Sequence, residues 1–467
     1  MSNAQIGTRK IKSINIGADE ISVAVQDNKL LYQGYTEGLA FTKDSYYATA
    51  EVSSESSSGV TSPEVVITNK AFLASTSEVL PVDSIGQGAF AYNSYVKNVS
   101  LAESVQNIKY RAFYECSNLH EVQYKNTVTI GNNAFENSTI EYMNLNNISS
   151  IGNYAFSNCA NFVGSFGHML TIGTSLRNAN TRAFYNCTGL LPSFWDPRYG
   201  GITYAGNLSE WLSISFSNLW GNPLQYSGYL RLDNALGEAP LSIDASGITR
   251  TYMGNSFRGW LGTDLKLPNY TYMNAIPLTD ARNLINLSIP FVGDSANTRV
   301  GDTTQFPFGC LFNSRVGSSE GSIYTNESAK AQAGLQKVVQ HYTYAGSDPQ
   351  TFTCYIPQSL QKVDVRGGDL LNYSFENCSM ITYINVYNYT CNAIGTRSFY
   401  NCSNLYRVTL PSSLTNIGPW AFCYCANLAH IEFDGTKAQW NAISKDYNWN
   451  ASTGSYIIHC TDGDLPK

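Results

Sequence analysis

The sequence predicts a mainly β solenoid with short helical turns, and a recurring phrase, its spacing and the pattern that follows it carry that reading. The phrase is a Phe, two variable residues, a Cys, then an apolar residue three further on. It stands at Phe113–Cys116–Leu119, Phe156–Cys159–Phe162, Phe184–Cys187–Leu190, Phe375–Cys378–Ile381, Phe399–Cys402–Leu405 and Phe422–Cys425–Leu428. The anchors of clear neighbours, Phe90, Phe113, Phe135 and Phe156, then Phe375, Phe399 and Phe422, lie 21 to 24 residues apart. A period in the twenties marks a stack of units, each burying its apolar face only against its neighbours. After the Cys comes an alternating run, as in Leu119–Val122–Tyr124, Leu405–Val408–Leu410 and Leu428–Ile431–Phe433. Alternation reads as a short strand with one face inward. Stacked units pair such strands into a long parallel sheet, with a spacing of about 4.8 Å.

The elements follow in order. Lys10–Gln33 reads as a compact β element, with Ile11, Ile14 and Ile16, the run Ile21 to Val25, a turn at Asp27-Asn28, and Leu30-Leu31-Tyr32. Residues 34–52 continue that pattern, and the Ser-rich stretch 53–62 is expected to be a flexible joint. Five residues before each anchor stands an aliphatic residue, usually followed by Gly: Ile85-Gly86, Ile130-Gly131, Ile151-Gly152, Ile394-Gly395 and Ile417-Gly418. The Gly suits a tight turn where a side chain would clash or φ must be positive. The Phe-x-x-Cys segment is too short and too aromatic for a free helix and is expected to form a helical or 3₁₀ turn opposite the sheet. Asn207 to Glu210 and Thr436 to Gln439 each start a short helix through a capping box. The first helix is expected to replace the convex turn of its unit, and the second to close the C-terminal end of the core. The resulting division is 1–52 as an N-terminal module, 53–62 as linker, 63–200 as a first repeat arm, 201–368 as irregular units with long loops, and 369–467 as C-terminal repeats with a capping helix.

Two stretches resemble a known repeat nearly position by position: Ile151-Gly-Asn-Tyr-Ala-Phe156-Ser-Asn-Cys159 and Ile417-Gly-Pro-Trp-Ala-Phe422-Cys-Tyr-Cys425. They look like the BspA-like class of leucine-rich repeat. The likeness is strong over 85–190 and 370–434 and weaker between them, where Leu284 to Gly293 and Phe306 to Phe312 look like that family's longer units. Phe135 departs from the pattern, since Ser138 stands where Cys is expected. The resemblance implies a leucine-rich-repeat solenoid and a binding role. The opening β element is similar to short modules at the start of bacteriophage virion proteins, particularly tail and fibre components. The other reading of that element is a cap over the first repeat turn.

Composition narrows the function. Charged residues make up 14% of 467, and a net charge of −6 supplies no basic field for nucleic acid. With 32 Tyr and few charges, the surface resembles recognition surfaces in which Tyr gives rigid contact area; the alternative is that Tyr merely fills ladder positions. The eleven Cys include six in one slot of the repeat, and they are expected to be buried thiols rather than disulfides. The five His (His120, His168, His341, His430, His459) show no metal-ligand spacing, so no metal and no cofactor is expected. Matches to Asn-x-Ser/Thr, such as those at Asn186 and Asn401, are read as ladder residues. No apolar h-region opens the chain and no 18-residue apolar run occurs, so neither signal peptide nor membrane span is expected. No Walker loop, H-E-x-x-H or G-x-S-x-G can be read, and no catalytic residue is nominated.

The expectation is therefore a non-enzymatic virion protein. Residues 1–52 would dock to other virion proteins, and the rod would bind a host surface protein or glycan, in an expected homo-oligomer. The alternatives are a bacterial cell-surface adhesin of the same repeat family and, behind it, a carbohydrate-degrading spike. The polar stretch from Val292 to Ser347 is expected to project as loops, with Tyr324, Tyr342 and Tyr344 as binding residues or as contacts to a sister subunit.

Overall fold

The computed structural model of the chain describes residues 82–467, except 165–168, 192–200, 218–219, 236–237, 274–275, 313–321, 323, 325 and 388; ahead of residue 82 it describes strand backbones together with Val65 and Ile67. The chain divides into two compact units, Met1–Ala239 and Pro240–Lys467. Both are mainly β with a few short helices, and both are built from stacked coils whose strands pair in parallel.

One coil of the first unit shows the plan. Glu121–Gln123 pairs with Asn98–Ser100 in one parallel sheet, and after a corner Val128–Ile130 pairs with Asn107–Ile108 and Ile148–Ile151 in another. The apolar residues Val122, Val128 and Ile130 are buried, while Gln123 is exposed. The chain then passes through the Phe135 segment and returns. The second unit carries a nine-stranded sheet running through Ser242–Asp244, Asp264–Lys266, Asn286–Ile289, Lys362–Val365, Tyr383–Val386, Arg407–Pro411, His430–Asp434, Ile457–Cys460 and Gly463–Pro466.

The anchors stack as the period requires. Phe90, Phe113, Phe135 and Phe156 are fully buried, with successive ring centroids 5.0, 5.2 and 5.1 Å apart and planes within 5°. In the second unit Phe375 lies 5.8 Å from Phe399, and Phe399 lies 4.6 Å from Phe422. Phe308 joins that stack, 4.9 Å from Phe375, so the irregular segment around it supplies a rung. Burying one such ring stabilises by about 1.5–3 kcal/mol, and offset stacking adds roughly 0.5–1.5 kcal/mol.

The irregular rung at Phe308 lies in a 3₁₀ turn, Phe308–Leu311, as expected, but the Phe-bearing segment of the regular coils is not helical. In eight coils the residues two before and two after the anchor both have positive φ, for instance Arg111 (54°) and Glu115 (54°) around Phe113, or Arg397 (53°) and Asn401 (59°) around Phe399. A right-handed helix cannot contain that alternation. The reason for it lies between coils. Alternate N–H groups point to the next coil: those of Arg111, Phe113 and Glu115 donate to the carbonyls of Asn132, Ala134 and Glu136 at 3.1, 2.7 and 2.9 Å. The intervening N–H groups of Ala112, Tyr114 and Cys116 donate three residues back. Every amide is thus satisfied at the cost of left-handed residues, each worth roughly 1–2 kcal/mol for a non-Gly side chain and least for Asn. Asn accordingly occupies the second position in five coils, at 137, 158, 186, 377 and 401. Its side chains form their own ladder, Asn158 to Asn137 at 2.8 Å and Asn401 to Asn377 at 2.9 Å, in keeping with the reading of these Asn as ladder residues.

The Gly after each Ile is there for close approach. A Cβ on Gly152 would lie 2.6 Å from the backbone of Gly131 and Asn132 one coil back, and on Gly418 it would lie 3.0 Å from that of Gly395 and Thr396.

Both short helices form with full capping boxes, Leu208–Ser213 on Asn207 and Glu210, and Lys437–Ala442 on Thr436 and Gln439. Their places differ from expectation. Each sits at the corner between the two strands of its coil, and the turn ladder continues past it: the Phe184 N–H donates to the Trp220 carbonyl at 3.1 Å, and that of Phe422 to Trp449 at 2.7 Å. Nor does the second helix end the core. One more parallel strand, Ile457–Cys460, follows it, and the antiparallel strand Gly463–Pro466 covers that edge. A hairpin with four residues on each side closes a sheet more completely than a helix at a corner, because it takes up the unpaired N–H and C=O groups.

At the N-terminus, Val23–Gln26 pairs antiparallel with Lys29–Tyr32 on either side of the expected turn at Asp27-Asn28. Tyr47–Val52 pairs in parallel with Glu78–Ile85, the strand that leads into the first coil. The Ser-rich stretch 53–62 lies outside the described residues. Among the described residues no helix is long and apolar enough to cross a membrane.

Candidate functional site

Each unit carries a groove at the same place in its plan, over the C-terminal ends of the parallel strands. In the first unit a groove of about 660 Å³ runs along Ser100, Gln123 to Lys125, Tyr142 to Asn144 and Gly164. In the second a groove of about 430 Å³ runs along Val386, Tyr387, Tyr389, Pro411, Asp434 and Thr461. The recurrence has a simple origin. Where a strand ends and the chain bends into the corner, the last side chains splay from the sheet, and stacked coils repeat that opening at each step.

Tyr lines both grooves. The Tyr124 hydroxyl donates to the Asn144 carbonyl, and burial pushes its pKa up. Tyr387 is 59% exposed and Tyr389 68%, and the Tyr389 hydroxyl donates to Asp434 Oδ2 at 3.1 Å, which raises the phenol above its ordinary value of 10.0. The flanking sheet face is a ladder of paired polar groups. Lys266 meets Asp244 at 2.7 Å and, by that hydrogen bond and those of Ser246, holds its carboxyl down to about 2. Asn385 donates to Asp364 at 2.7 Å, Thr409 to Asn385 at 2.9 Å, and Arg407 lies 3.6 Å from Glu432. The carboxylates of the second groove are therefore each engaged, Glu432 with Arg407 and Asp434 with Tyr389.

The residues singled out in the sequence divide. The six ladder Cys are all free and buried. Five of their thiols donate to the carbonyl of the anchor one coil back: Cys116 to Phe90 (2.9 Å), Cys159 to Phe135 (2.9 Å), Cys187 to Phe156 (3.0 Å), Cys402 to Phe375 (3.0 Å) and Cys425 to Phe399 (3.1 Å). Cys378 instead accepts from Gln340 Nε2 at 3.5 Å. The slot thus wants a small group with one donor; the Ser138 hydroxyl, which fills it in the Phe135 coil, instead meets the Cys159 thiol at 3.6 Å.

The expected projecting loop is in large part a paired hairpin. Leu335–Tyr342 and Gln350–Pro357 pair antiparallel over eight residues each, and Asn286–Ile289 pairs directly with Lys362–Val365, so the insertion leaves the main sheet unbroken. The hairpin is seated by Gln340, which accepts from the Gly309 N–H at 2.8 Å and donates to the Glu376 carbonyl at 2.9 Å. Tyr342 stacks on Phe306 with centroids 5.6 Å apart, and Tyr344 stands beside the same ring, 60% exposed. Tyr324 lies apart from them in its contacts, half-buried against Arg282. Tyr324 thus has different contacts from the other two, and residues 313–321 of that stretch lie outside the described ones. Sequence spacing also misses a contact between His residues: His430 and His459, 29 residues apart, meet on neighbouring strands.

Comparison with known families accounts for the repeat. Residues 83–192 and 342–448 match the BspA type leucine-rich repeat region, in six copies. Both stretches are BspA-type leucine-rich repeats. No curated protein sequence is significantly similar to the chain. Among solved structures, a leucine-rich cell surface protein from Faecalibacterium prausnitzii aligns over 92% of this chain and 99% of its own, at 16% identity and a TM-score of 0.29. A leucine-rich repeat protein from Bacteroides ovatus aligns over 91% of this chain and 100% of its own, at 16% identity and 0.37. One from Eubacterium ventriosum aligns over 92% and 98%, at 13% identity and 0.30. Similarity at this level says nothing of role. None of these comparisons supports the likeness of residues 10–33 to virion proteins.

Proposed function

We propose that this chain is a non-catalytic binding protein of the bacterial-surface adhesin type, whose ligand lies along the Tyr-lined grooves at the strand ends. The observation that carries the reading is the recurrence of that groove at equivalent places in both units. A shallow, open, aromatic-edged channel suits an extended polar ligand, a host glycan or a segment of a host surface protein, because Tyr offers rigid contact area together with a hydrogen-bonding tip. The BspA-type match bears on the adhesin alternative, and no observation on the described residues favours docking to a virus particle through residues 1–52.

The test is binding of the purified chain to host cells and to a glycan array, with Tyr387→Ser and Tyr389→Ser combined, and with Tyr124→Ser and Tyr142→Ser combined. Binding is expected to fall at least tenfold in one pair or both while the melting temperature stays close to that of the parent. Unchanged binding in both pairs would remove the grooves from recognition. Loss in Tyr344→Ser instead would move the surface to the hairpin.

A further inference from the structure

We propose that His430, His459 and Glu432 form a binding site for a divalent transition-metal ion of the zinc class. The site is independent of the adhesion reading and stands or falls without it. It arises from the register of two adjacent parallel strands. His430–Asp434 pairs with Ile457–Cys460 so that Glu432 lies directly opposite His459, and His430, two residues before Glu432, shares the same face. One nitrogen from each ring and one carboxylate oxygen come within 4.8 Å of one another, and all three residues are half-buried.

The hydrogen bonds around the cluster direct its lone pairs inward. His430 Nδ1 faces His459 Nε2 at 2.9 Å. On the outer side, His459 Nδ1 lies 2.9 Å from Asp464 Oδ1. An ionised carboxylate only accepts, so this contact places the His459 proton on Nδ1 and leaves the Nε2 lone pair for a metal. The outer nitrogen of His430, Nε2, lies 3.0 Å from the Tyr406 hydroxyl, which can donate or accept. With no ion bound, Tyr406 donates to Nε2 and the His430 Nδ1–H bridges to His459. With an ion bound, the proton sits on Nε2, Tyr406 accepts it, and both inner nitrogens present lone pairs. The exchange moves the proton from one nitrogen of the His430 ring to the other and leaves the inner one free for the ion.

The sizes agree. Zinc–nitrogen bonds of about 2.0–2.1 Å at a tetrahedral angle place two ligating nitrogens roughly 3.3 Å apart, so the nitrogens need to separate by a few tenths of an ångström and the rings to turn until their lone pairs converge. Glu432 supplies an anionic third ligand, and Arg407 lies 3.6 Å from its Oε1. A His₂Glu set with a fourth position open is the donor chemistry of zinc rather than of calcium or magnesium, which take oxygen ligands. Glu432 and His459 also line the groove of the second unit.

The experiment uses the full chain stripped with EDTA and titrated with Zn²⁺ by calorimetry and with Co²⁺ by visible absorption. The wild type is expected to bind Zn²⁺ saturably and to give the intense cobalt spectrum of a four-coordinate site. His430→Ala and His459→Ala are each expected to lose binding by more than tenfold. Asp464→Asn, at an exposed position that keeps the fold, is expected to weaken it by roughly 10–100-fold, with an unchanged melting temperature in EDTA. Cys460→Ser is expected to bind as the wild type does. No saturable binding in the wild type, wild-type affinity in both His variants, or loss of binding in Cys460→Ser would each overturn the assignment.

Discussion

The thiol of Cys425 donates to the carbonyl of Phe399, one coil back, at 3.1 Å, while the ring of Phe399 stacks on that of Phe422 at 4.6 Å. Phe399 thus ties its coil to the next one twice, through its carbonyl to Cys425 and through its ring to Phe422. The same thiol-to-carbonyl link recurs at Cys116, Cys159, Cys187 and Cys402, and it explains why a Cys stands there rather than an Ala.

From this link follows a pattern of reactivity. Burial and engagement of the thiol should leave Cys116, Cys159, Cys187, Cys378, Cys402 and Cys425 unlabelled by a thiol-reactive dye in the folded protein, with Cys460, the half-exposed one, labelled first. All should label in denaturant. Peptide mapping after brief labelling reads the result, and rapid native labelling of the ladder positions would show the coils to be open.

The same burial makes the fold sensitive to alkali. Desolvation pushes the thiols of Cys116, Cys159 and Cys391 up to about 12 from an ordinary 9.0. A group whose pKa is raised by folding contributes its full stability below the unfolded value and loses it as pH rises towards the folded one. The urea midpoint is therefore expected to hold steady below pH 9 and to fall between pH 9 and 12. A flat profile across that window would contradict the buried thiols.

Removing a rung of the stack should be costly. Phe399→Ala deletes a fully buried ring that contacts both Phe375 and Phe422, for an expected loss of about 3–5 kcal/mol. Because a solenoid distributes stability between nearest neighbours, the loss should appear first in amide exchange of the adjoining coils, rather than uniformly.

The helix caps give a smaller, cleaner effect. Thr436→Ala and Asn207→Ala each remove a side chain that accepts from the third residue of its helix, at 3.2 and 3.1 Å, and each is expected to destabilise by about 1 kcal/mol in urea unfolding.

Glu376 is the most exacting polar residue of the second unit. Its side chain is 2% exposed, accepts from the His341 backbone N–H at 2.9 Å, and meets His341 Nδ1 at 2.7 Å and Arg397 at 3.9 Å. Glu376→Ala removes the acceptor of the His341 backbone N–H and the partner of its ring, for an expected loss of about 1–3 kcal/mol. A loss below about 1 kcal/mol would mean that the hairpin is held by its apolar contacts alone.

Much of the architecture was legible because it repeats. The Phe and Cys slots, the alternating strands and the two capping boxes are local patterns whose physical meaning does not depend on what lies across the fold. The conformation of the Phe-bearing turn was not legible in the same way. Nothing in a run such as Arg111-Ala-Phe113-Tyr-Glu115 announces two left-handed residues, since they are imposed by the need of alternate amides to reach the next coil. The Asn two residues after the anchor was the available signal, and it was visible in five coils.

The candidate sites were hidden for a related reason. Tyr342 and Tyr344 were visible as Tyr on a polar background, but antiparallel pairing of their segment settles one of them against Phe306 and leaves the other exposed. The grooves depend on where each strand ends, which the corner between two strands decides. His430 and His459 became neighbours only through the register of two parallel strands.

By itself the sequence determined the period, the composition of the core ladder and the fold class, because a solenoid buries each unit against a copy of itself and the copy is written in the chain. Only the tertiary structure decided which polar residues meet. Side chains far apart in sequence become neighbours at a lateral spacing of about 4.8 Å once the strands are in register, and a shift of one residue would turn every one of them to the opposite face.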